Sequence, residues 1–234
     1  MAASATAKRR KSRKKANFAP RDDGHRHEPP SSGRSLVTYE KLIRAAGELL
    51  GEVGFEKLTT NAICARAGLT PPALYRYFKD KYEVLEALAR KLLQKQAEAF
   101  AVWISEGDRS KDPGGRASLE DWFRTSVELT LSEPGAIWTA RALRALPNLA
   151  HLRLESQRQS ADQMFNFFRR VYPRVPVATL WCRLRIIAEF GFAVDELALE
   201  ENRIPHEVLL REAARILAIP YDSEAIKPAR QGPV

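Results

Sequence analysis

From Leu36 onward, apolar residues recur at the three- to four-residue spacing of an α-helix along almost the whole chain. In the first such segment one helical face carries Tyr39, Leu42, Ile43, Ala46, Leu49, Leu50 and Val53. We find no convincing run of alternating β-branched residues, which would indicate a strand, and no internal repeat. The chain is therefore predicted to be all-α, with about nine helices.

Glycine, proline and helix-capping residues divide this pattern into segments. The predicted helices span residues 36–53, 60–67, 71–78, 81–105, 118–132, 134–146, 148–172, 176–200 and 205–218. Between the fourth and fifth lies a loop rich in Gly, Asp and Pro, residues 107–115. The chain is long enough to bury a substantial core in one or two domains.

Residues 1–35 differ from the rest in composition. They hold ten Lys or Arg against three Asp or Glu, which is +7 of the net charge of +9, and seven of the eight residues 8–15 are basic. With few large apolar side chains, this segment is predicted to be a disordered basic tail. Residues 36–82 carry +2 and residues 83–234 are neutral, so the high net charge does not show by itself that the folded part binds nucleic acid.

Several classes of protein are disfavoured. No apolar run reaches the roughly 18 residues that a membrane-spanning helix needs, and no hydrophobic segment follows the basic start as in a secretion signal. We find no catalytic signature and no metal-ligand spacing, so the sequence predicts a cytoplasmic protein that is not an enzyme and has no metal or cofactor. The histidines and cysteines that this interpretation leaves without a chemical role are His25, His27, His151, His206, Cys64 and Cys182.

Residues 59–81 carry the most specific signal. Thr59 or Thr60 is placed to cap a short helix that Gly68 ends, and Thr70 with Pro71 begins a second one. Two short helices joined by a tight glycine-containing turn form a helix-turn-helix. Four apolar residues are spaced to pack inward: Ile63, Leu69, Leu74 and Phe78. The residues left on or near the outer face of the second helix are Pro71, Pro72, Ala73, Tyr75, Arg76 and Tyr77.

This segment resembles the signature of the tetracycline-repressor (TetR) family: a capping threonine, Ile-small-x-x-Ala-Gly, then Leu-Tyr-x-Tyr-Phe-x-Asp-Lys, within a match over residues 36–88. Cys64 stands where the family usually has alanine, and Pro71-Pro72-Ala73 gives the second helix an apolar start. The resemblance implies phosphate contacts from Thr59, Tyr75, Tyr77 and Lys81. It implies base-edge contacts from Asn61, Pro72, Ala73, Arg76 and Tyr77.

The same resemblance implies a carboxy-terminal helical domain that binds a small molecule and forms a homodimer through its last two helices. Aromatic side chains and one arginine are the candidates for binding an apolar or aromatic ligand: Trp103, Trp122, Trp138, Arg141 and Phe165. The faces predicted to meet a partner are Leu184, Ile187, Ala188, Gly191, Phe192 and Asp195 on one helix, and Val208, Leu209, Ala213, Ile216 and Leu217 on the next. Glu189 and Asp195 are interpreted as charges at an interface or its rim.

The predicted organisation is a basic tail (1–35), a helix-turn-helix domain (36–82), a ligand-binding and dimerisation domain (83–220) and a flexible carboxy-terminal tail (221–234). The predicted function is a regulator that binds a palindromic operator, with repression and ligand-induced release implied by the resemblance. Two alternatives stay open. One is a non-specific architectural DNA-binding protein that uses the basic tail, and the other is a helical ligand-binding protein or enzyme whose amino-terminal motif is vestigial.

Overall fold

A computed structural model describes residues 29–107 and 114–222, which form nine α-helices and one short 3₁₀ helix without any strand. The prediction of an all-α fold is confirmed. The helices are α1 (Gly33–Lys57), α2 (Thr60–Ala67), α3 (Pro71–Tyr75), α4 (Lys81–Gly107), α5 (Arg116–Ser132), α6 (Ala136–Ala145), α7 (Ala150–Val171), α8 (Val177–Glu200) and α9 (His206–Asp222), with the 3₁₀ helix at Pro147–Leu149. The basic run 8–15 and residues 223–234 of the predicted tails lie outside the described residues.

The first helix differs from its prediction at both ends. It begins at Gly33 rather than at residue 36, so Ser35 is helical. Gly54, expected to end it, adopts a non-helical conformation (φ 74°, ψ 172°) that kinks the chain, and one more turn continues to Lys57.

The tight turn between α2 and α3 forms because of local chemistry. The Thr59 hydroxyl oxygen accepts a hydrogen bond from the Ala62 N–H at 3.1 Å and so caps α2. Gly68 ends α2 in the left-handed region (φ 65°, ψ 34°), which glycine adopts at low cost. The Leu69 N–H then bonds the Cys64 carbonyl at 2.9 Å, which fixes the entry into α3.

A continuous apolar core lies beneath these helices. Its fully buried members from the first three helices and the α3–α4 turn include Leu42, Leu50, Ile63, Leu74 and Phe78. The same cluster continues through the first half of α4 and into α6 and α7. The predicted division after residue 82 therefore falls inside α4 and crosses a shared core rather than a linker.

The turn between α5 and α6 packs directly against α1. A Cβ atom added at Gly47 would lie 2.6 Å from the Pro134 carbonyl oxygen, and one added at Gly135 would clash with the Gly47 backbone. Only glycine permits this approach. Beside it, Glu133 forms an ion pair with Lys95 of α4. The amino-terminal helices are thus held to the rest of the molecule by backbone contact as well as by apolar burial.

Two further apolar clusters fill the carboxy-terminal part. One joins α4, α7 and α8, and the other joins α5, α8 and α9. Trp103 and Trp122 pack against both clusters. Among the described helices, none is long and apolar enough to cross a membrane.

Candidate nucleic-acid interface and interior cavity

The outer surface of α2 and α3 presents several polar side chains to solvent. Asn61, Tyr75 and Arg76 are exposed, with 53% of Tyr75 accessible to solvent. Pro72 is also exposed, whereas Ala73 is half-buried. Within residues 29–107 and 114–222, neither Asn61 nor Arg76 makes a side-chain hydrogen bond or an ion pair. These two side chains can therefore reach an external partner without breaking an internal contact.

The hydroxyl groups of Thr59 and Tyr75 flank this surface. Because Thr59 uses its oxygen as an acceptor for the helix cap, its O–H remains able to donate outward. The Tyr75 hydroxyl lies 3.2 Å from the Thr60 hydroxyl, across the gap between α2 and α3. The structure thus brings the predicted contacts Thr59, Asn61, Tyr75 and Arg76 onto one surface.

Tyr77 occupies a different environment from Tyr75. Its ring packs edge-on against Tyr39 of α1, with 5.9 Å between centroids. Its hydroxyl donates to the Ser35 carbonyl at 3.2 Å and lies 2.9 Å from the Ser35 hydroxyl. A tyrosine has one hydroxyl proton, so in this arrangement Tyr77 has none left for a phosphate. Its geometry ties the start of α1 to the end of the helix-turn-helix.

Lys81 is also engaged within the protein. Its ammonium donates to the carbonyl oxygens of Phe55 at 3.1 Å and Glu56 at 3.4 Å, at the end of α1. It also lies 4.4 Å from the centroid of the Phe55 ring. Cations are favoured at helix carboxyl ends, where carbonyls lack partners. One of its three protons remains for an outside acceptor.

Among the described residues, Arg66, near the end of α2, is paired with carboxylates, unlike Arg76. It bonds both oxygens of Glu52, at 2.9 and 2.6 Å, and lies 3.5 Å from Glu48. The Arg66 hydrogen bond lowers the pKa of Glu52. Arg66 is held on the protein by two carboxylates, whereas the charge of Arg76 faces solvent unbalanced.

A short helix with an apolar start, an exposed tyrosine and an exposed arginine directly after its last residue has the size and chemistry to enter a major groove. Arginine can bond guanine edges in a bidentate manner, and proline or alanine can touch a thymine methyl group. Hydroxyl groups and backbone N–H groups at the start of α2 suit phosphate oxygens.

Comparison with known proteins agrees with this geometry. A family model for bacterial regulatory proteins of the tetR family matches residues 42–88. The class C tetracycline repressor of Escherichia coli is 50% identical over 54 residues, which are 23% of this chain and 25% of that protein. The regulator BetI of Stenotrophomonas maltophilia is 30% identical over 156 residues, which are 66% of this chain and 78% of BetI.

The chain belongs to the TetR family of transcriptional regulators. The resemblance seen in residues 36–88 is therefore confirmed. In structure, the chain is similar to the protein of the SmeT–triclosan complex, with a TM-score of 0.61, 21% identity, and coverage of 85% of this chain and 98% of that one. At that identity the likeness supports the fold alone, with its carboxy-terminal helical part.

Inside that helical part of this TetR-family chain is a small cavity of about 60 Å³ lined by α4, α5, α7, α8 and α9. Its lining is mostly aromatic and aliphatic: Gln96, Phe100, Trp103, Leu119, Trp122, Phe123, Ser126, Ser156, Ser160, Met164, Ile187, Ala188, Gly191, Phe192, Asp195 and Leu217. Trp103 and Trp122, two of the five candidates from the sequence, lie in this wall. Their ring centroids are 5.7 Å apart.

The other three candidates lie elsewhere. Trp138 covers Gly54 at the kink of α1, and the Arg141 guanidinium lies 5.4 Å from the centroid of the Trp138 ring. Arg141 also bonds Glu200 at 3.0 Å. Phe165 packs against the α4–α7–α8 cluster without reaching the cavity. The structure therefore does not bring the five predicted ligand residues into one site.

Asp195 is the polar feature that sequence reasoning misplaced. Predicted as a partner-facing or rim charge, it instead lines the cavity, and the Ser126 hydroxyl donates to its Oδ2 at 2.6 Å. Its Oδ1 is buried and has no hydrogen-bond partner among the described residues. Burial raises the pKa of Asp195 to about 7, although the Ser126 hydrogen bond acts to lower it. The four-residue spacing of Ile187, Gly191 and Asp195 was the signal that these residues share one face.

The face of α8 predicted to meet a partner is mostly the face that packs in the chain's own core. Leu184, Ile187 and Ala188 are buried, and Gly191 faces Phe123 and the cavity. Helical spacing correctly grouped these residues on one face of α8. It did not show that this face packs against the chain's own core rather than against a partner. The large exposed apolar residues of the last two helices and their connection are Val177, Ile186, Phe190, Leu197, Ile204, Val208 and Ile216.

A metal site has no support in the part of the chain that the structure describes, where no group of three or more His, Cys, Asp or Glu side chains is placed to hold an ion. Of the two described cysteines, Cys64 is buried beneath the helix-turn-helix and Cys182 is exposed. Burial raises the pKa of the Cys64 thiol, consistent with a small packing residue.

Proposed function

We propose that this TetR-family chain is a homodimeric repressor that binds a palindromic operator and leaves it when a small apolar or aromatic molecule occupies the interior cavity. The observation that carries the proposal is the exposed α2–α3 surface, where Arg76 and Asn61 have no partner among the described residues. The proposed units are residues 36–82 for DNA binding and 83–220 for ligand binding and dimerisation, joined through α4.

Within the DNA-binding unit, we assign base reading to Arg76 and Asn61, with Pro72 and Ala73 in apolar contact. Thr59 and Tyr75 then position the unit on phosphates. Lys81 then attracts a phosphate through its charge or donates its remaining ammonium proton to one. Tyr77 acts mainly through Ser35, by holding α1 against the turn, because its proton is already donated within the protein.

Dimerisation is supported by the exposed apolar stripe on α8. Ile186, Phe190 and Leu197 are spaced along one outward face and remain about half exposed. An apolar face of this kind favours burial against a second copy, and two recognition helices per dimer match a palindrome. Phe190→Glu is expected to give a monomer in analytical ultracentrifugation, whereas Val102→Glu, at an exposed apolar position on α4, leaves the dimer intact. A dimeric Phe190→Glu variant would contradict this interface.

Release from DNA is proposed to pass through α4. This helix begins at Lys81 beside the recognition helix and carries Phe100 and Trp103 into the cavity wall. The cavity of about 60 Å³ is far below the roughly 300 Å³ of an ordinary ligand pocket, so a ligand must displace its walls. A ligand that binds the expanded form more tightly shifts the population toward it and changes the spacing of the two recognition helices.

The coupling is tested with a selected operator duplex and a candidate cavity ligand. Triclosan is the first probe, because SmeT was solved in complex with it. Binding is followed by quenching of tryptophan fluorescence, since Trp103 and Trp122 line the cavity, and operator affinity by fluorescence anisotropy. Quenching accompanied by weaker operator binding supports the proposal. Quenching with unchanged operator affinity would separate the cavity from DNA release.

A further inference from the structure

The carboxylate of Asp195 is chemically isolated in the cavity. One oxygen accepts a hydrogen bond from the Ser126 hydroxyl, while Oδ1 is buried and receives none from residues 29–107 or 114–222. A buried polar atom without a partner carries an unrecovered desolvation cost, and the cost is greater for a charged group. Apolar residues of the same size would pack this interior more favourably. The unpaired oxygen therefore suggests that a donor is supplied from outside the chain.

Aromatic rings line the same cavity as Asp195. The ring centroid of Phe100 lies 5.4 Å from that of Trp103 and 4.9 Å from that of Trp122. The faces of such rings attract cations, most strongly when water is excluded. Among the described residues that line the cavity from all five helices, Asp195 is the one ionisable side chain. A bound cation meets no opposing positive charge in this wall.

We propose that the cavity binds an apolar molecule carrying one protonated amine, whose N–H donates to Oδ1 of Asp195 while the ring cluster of Phe100, Trp103 and Trp122 encloses its apolar body. The proposal rests on the proposed function, in which this cavity holds the effector. A carboxylate ligand is disfavoured because two like charges would be buried together. A neutral alcohol can fill the donor position but gains neither the charge-assisted bond nor the attraction to the rings.

The ligand charge is tested with three probes of similar size: phenethylamine, phenethyl alcohol and hydrocinnamate, which are cationic, neutral and anionic. Isothermal titration calorimetry measures their affinities for the full chain, for Asp195→Asn and for Asp121→Asn, a change at an exposed aspartate on α5. The wild type is expected to prefer the amine over the alcohol by at least about tenfold. Asp195→Asn is expected to lose that preference, and Asp121→Asn to keep it.

Proton release gives a second readout. Because burial raises the pKa of Asp195 to about 7, the carboxyl of the empty cavity is mostly protonated at pH 6. Pairing with an ammonium group favours the ionised form, so amine binding at that pH should release close to one proton. Calorimetry in two buffers of different ionisation enthalpy measures this release, which is expected to disappear in Asp195→Asn.

Equal affinity of the wild type for amine and alcohol overturns the proposal. So does an amine preference that survives in Asp195→Asn, or failure of the amine to bind at millimolar concentration. Operator affinity is measured in parallel, so that failure of the amine assignment can be distinguished from failure of the proposed function. Specific DNA binding without an amine preference would remove only the ligand assignment. Amine binding through Asp195 without any effect on operator affinity would remove only the coupling.

Discussion

The α2–α3 surface and the interior cavity both contain polar groups without partners, but their surroundings differ. Arg76 and Asn61 lie in water, where an unpaired side chain is solvated and costs little. Oδ1 of Asp195 is buried in the wall of a mostly apolar cavity and has no partner among the described residues, which is expensive. The exposed groups suit a large, hydrated and reversible partner such as DNA. The buried group suits a small ligand that replaces the missing water.

The buried carboxyl of Asp195 should make the stability of the protein depend strongly on pH. An unfolded aspartate has a pKa of about 3.9, whereas the folded Asp195 has a pKa of about 7. Between these pH values the folded chain holds a proton that the unfolded chain has released, so the contribution of Asp195 to stability falls as pH rises. It becomes constant above about pH 7.

Asp195→Asn removes this titration. The free energy of unfolding of the variant, relative to wild type, is therefore expected to increase between pH 4 and pH 7 by up to about 4 kcal/mol. Urea denaturation at several pH values measures the difference, with Asp121→Asn as the exposed control. A difference that is flat with pH would show that the carboxyl is hydrated.

The second prediction concerns operator binding by Arg76 on the exposed α2–α3 surface. Arg76→Ala should weaken binding to a selected operator by about 100-fold, or roughly 3 kcal/mol over two half-sites. It should leave folding stability nearly unchanged, because Arg76 has no partner to lose within the described chain. Arg76→Lys keeps the charge but not the bidentate geometry, so it should recover affinity without sequence preference. Equal weakening on all sequences would make Arg76 a phosphate contact.

A smaller effect distinguishes the two neighbouring tyrosines. Tyr77→Phe is expected to lower the free energy of unfolding by about 1 kcal/mol, because it removes the hydrogen bonds to Ser35. Tyr75→Phe should leave stability almost unchanged and weaken DNA binding instead. Chemical denaturation and fluorescence anisotropy on both variants give the comparison. The reverse pattern would assign the phosphate contact to Tyr77.

The smallest effect concerns the basic tail, whose seven charges in residues 8–15 are predicted either to be solvated or to grip flanking DNA. A chain that begins at Pro29 keeps every described residue. If the tail binds DNA, its removal makes the plot of log K against log salt shallower by about 0.9 for each phosphate that the tail neutralises. An unchanged slope would leave the tail as a solvated arm.

The two regions also differ in how far sequence predicts them. The helix-turn-helix depends on residues close together in the chain, such as the Thr59 cap and Gly68, so spacing alone is sufficient. Even there, Thr70 makes no capping hydrogen bond through its side chain, and α3 ends at Tyr75 rather than at residue 78. Local patterns give the presence of an element more securely than its ends.

The interactions that sequence reasoning missed join distant residues. Tyr77 and Ser35 are 42 residues apart, and Ser126 and Asp195 are 69 residues apart. Such pairs depend on how helices pack, which periodicity does not specify. For α8 the difficulty is greater, because apolar residues occur on both faces and periodicity does not distinguish the buried face from a partner-facing one. The close approach of Gly47 and Gly135 likewise becomes visible only when the helices are placed together.

We propose that the α2–α3 surface reads a DNA sequence as part of a two-fold dimer. Selection of duplexes from a random library by the purified full chain, at physiological salt with excess competitor DNA, tests it most directly. We expect enrichment of a palindrome whose half-sites are spaced for two recognition helices, with preference at one position per half-site abolished in Arg76→Ala. Tight binding without any enriched sequence, or no binding at all, would contradict it.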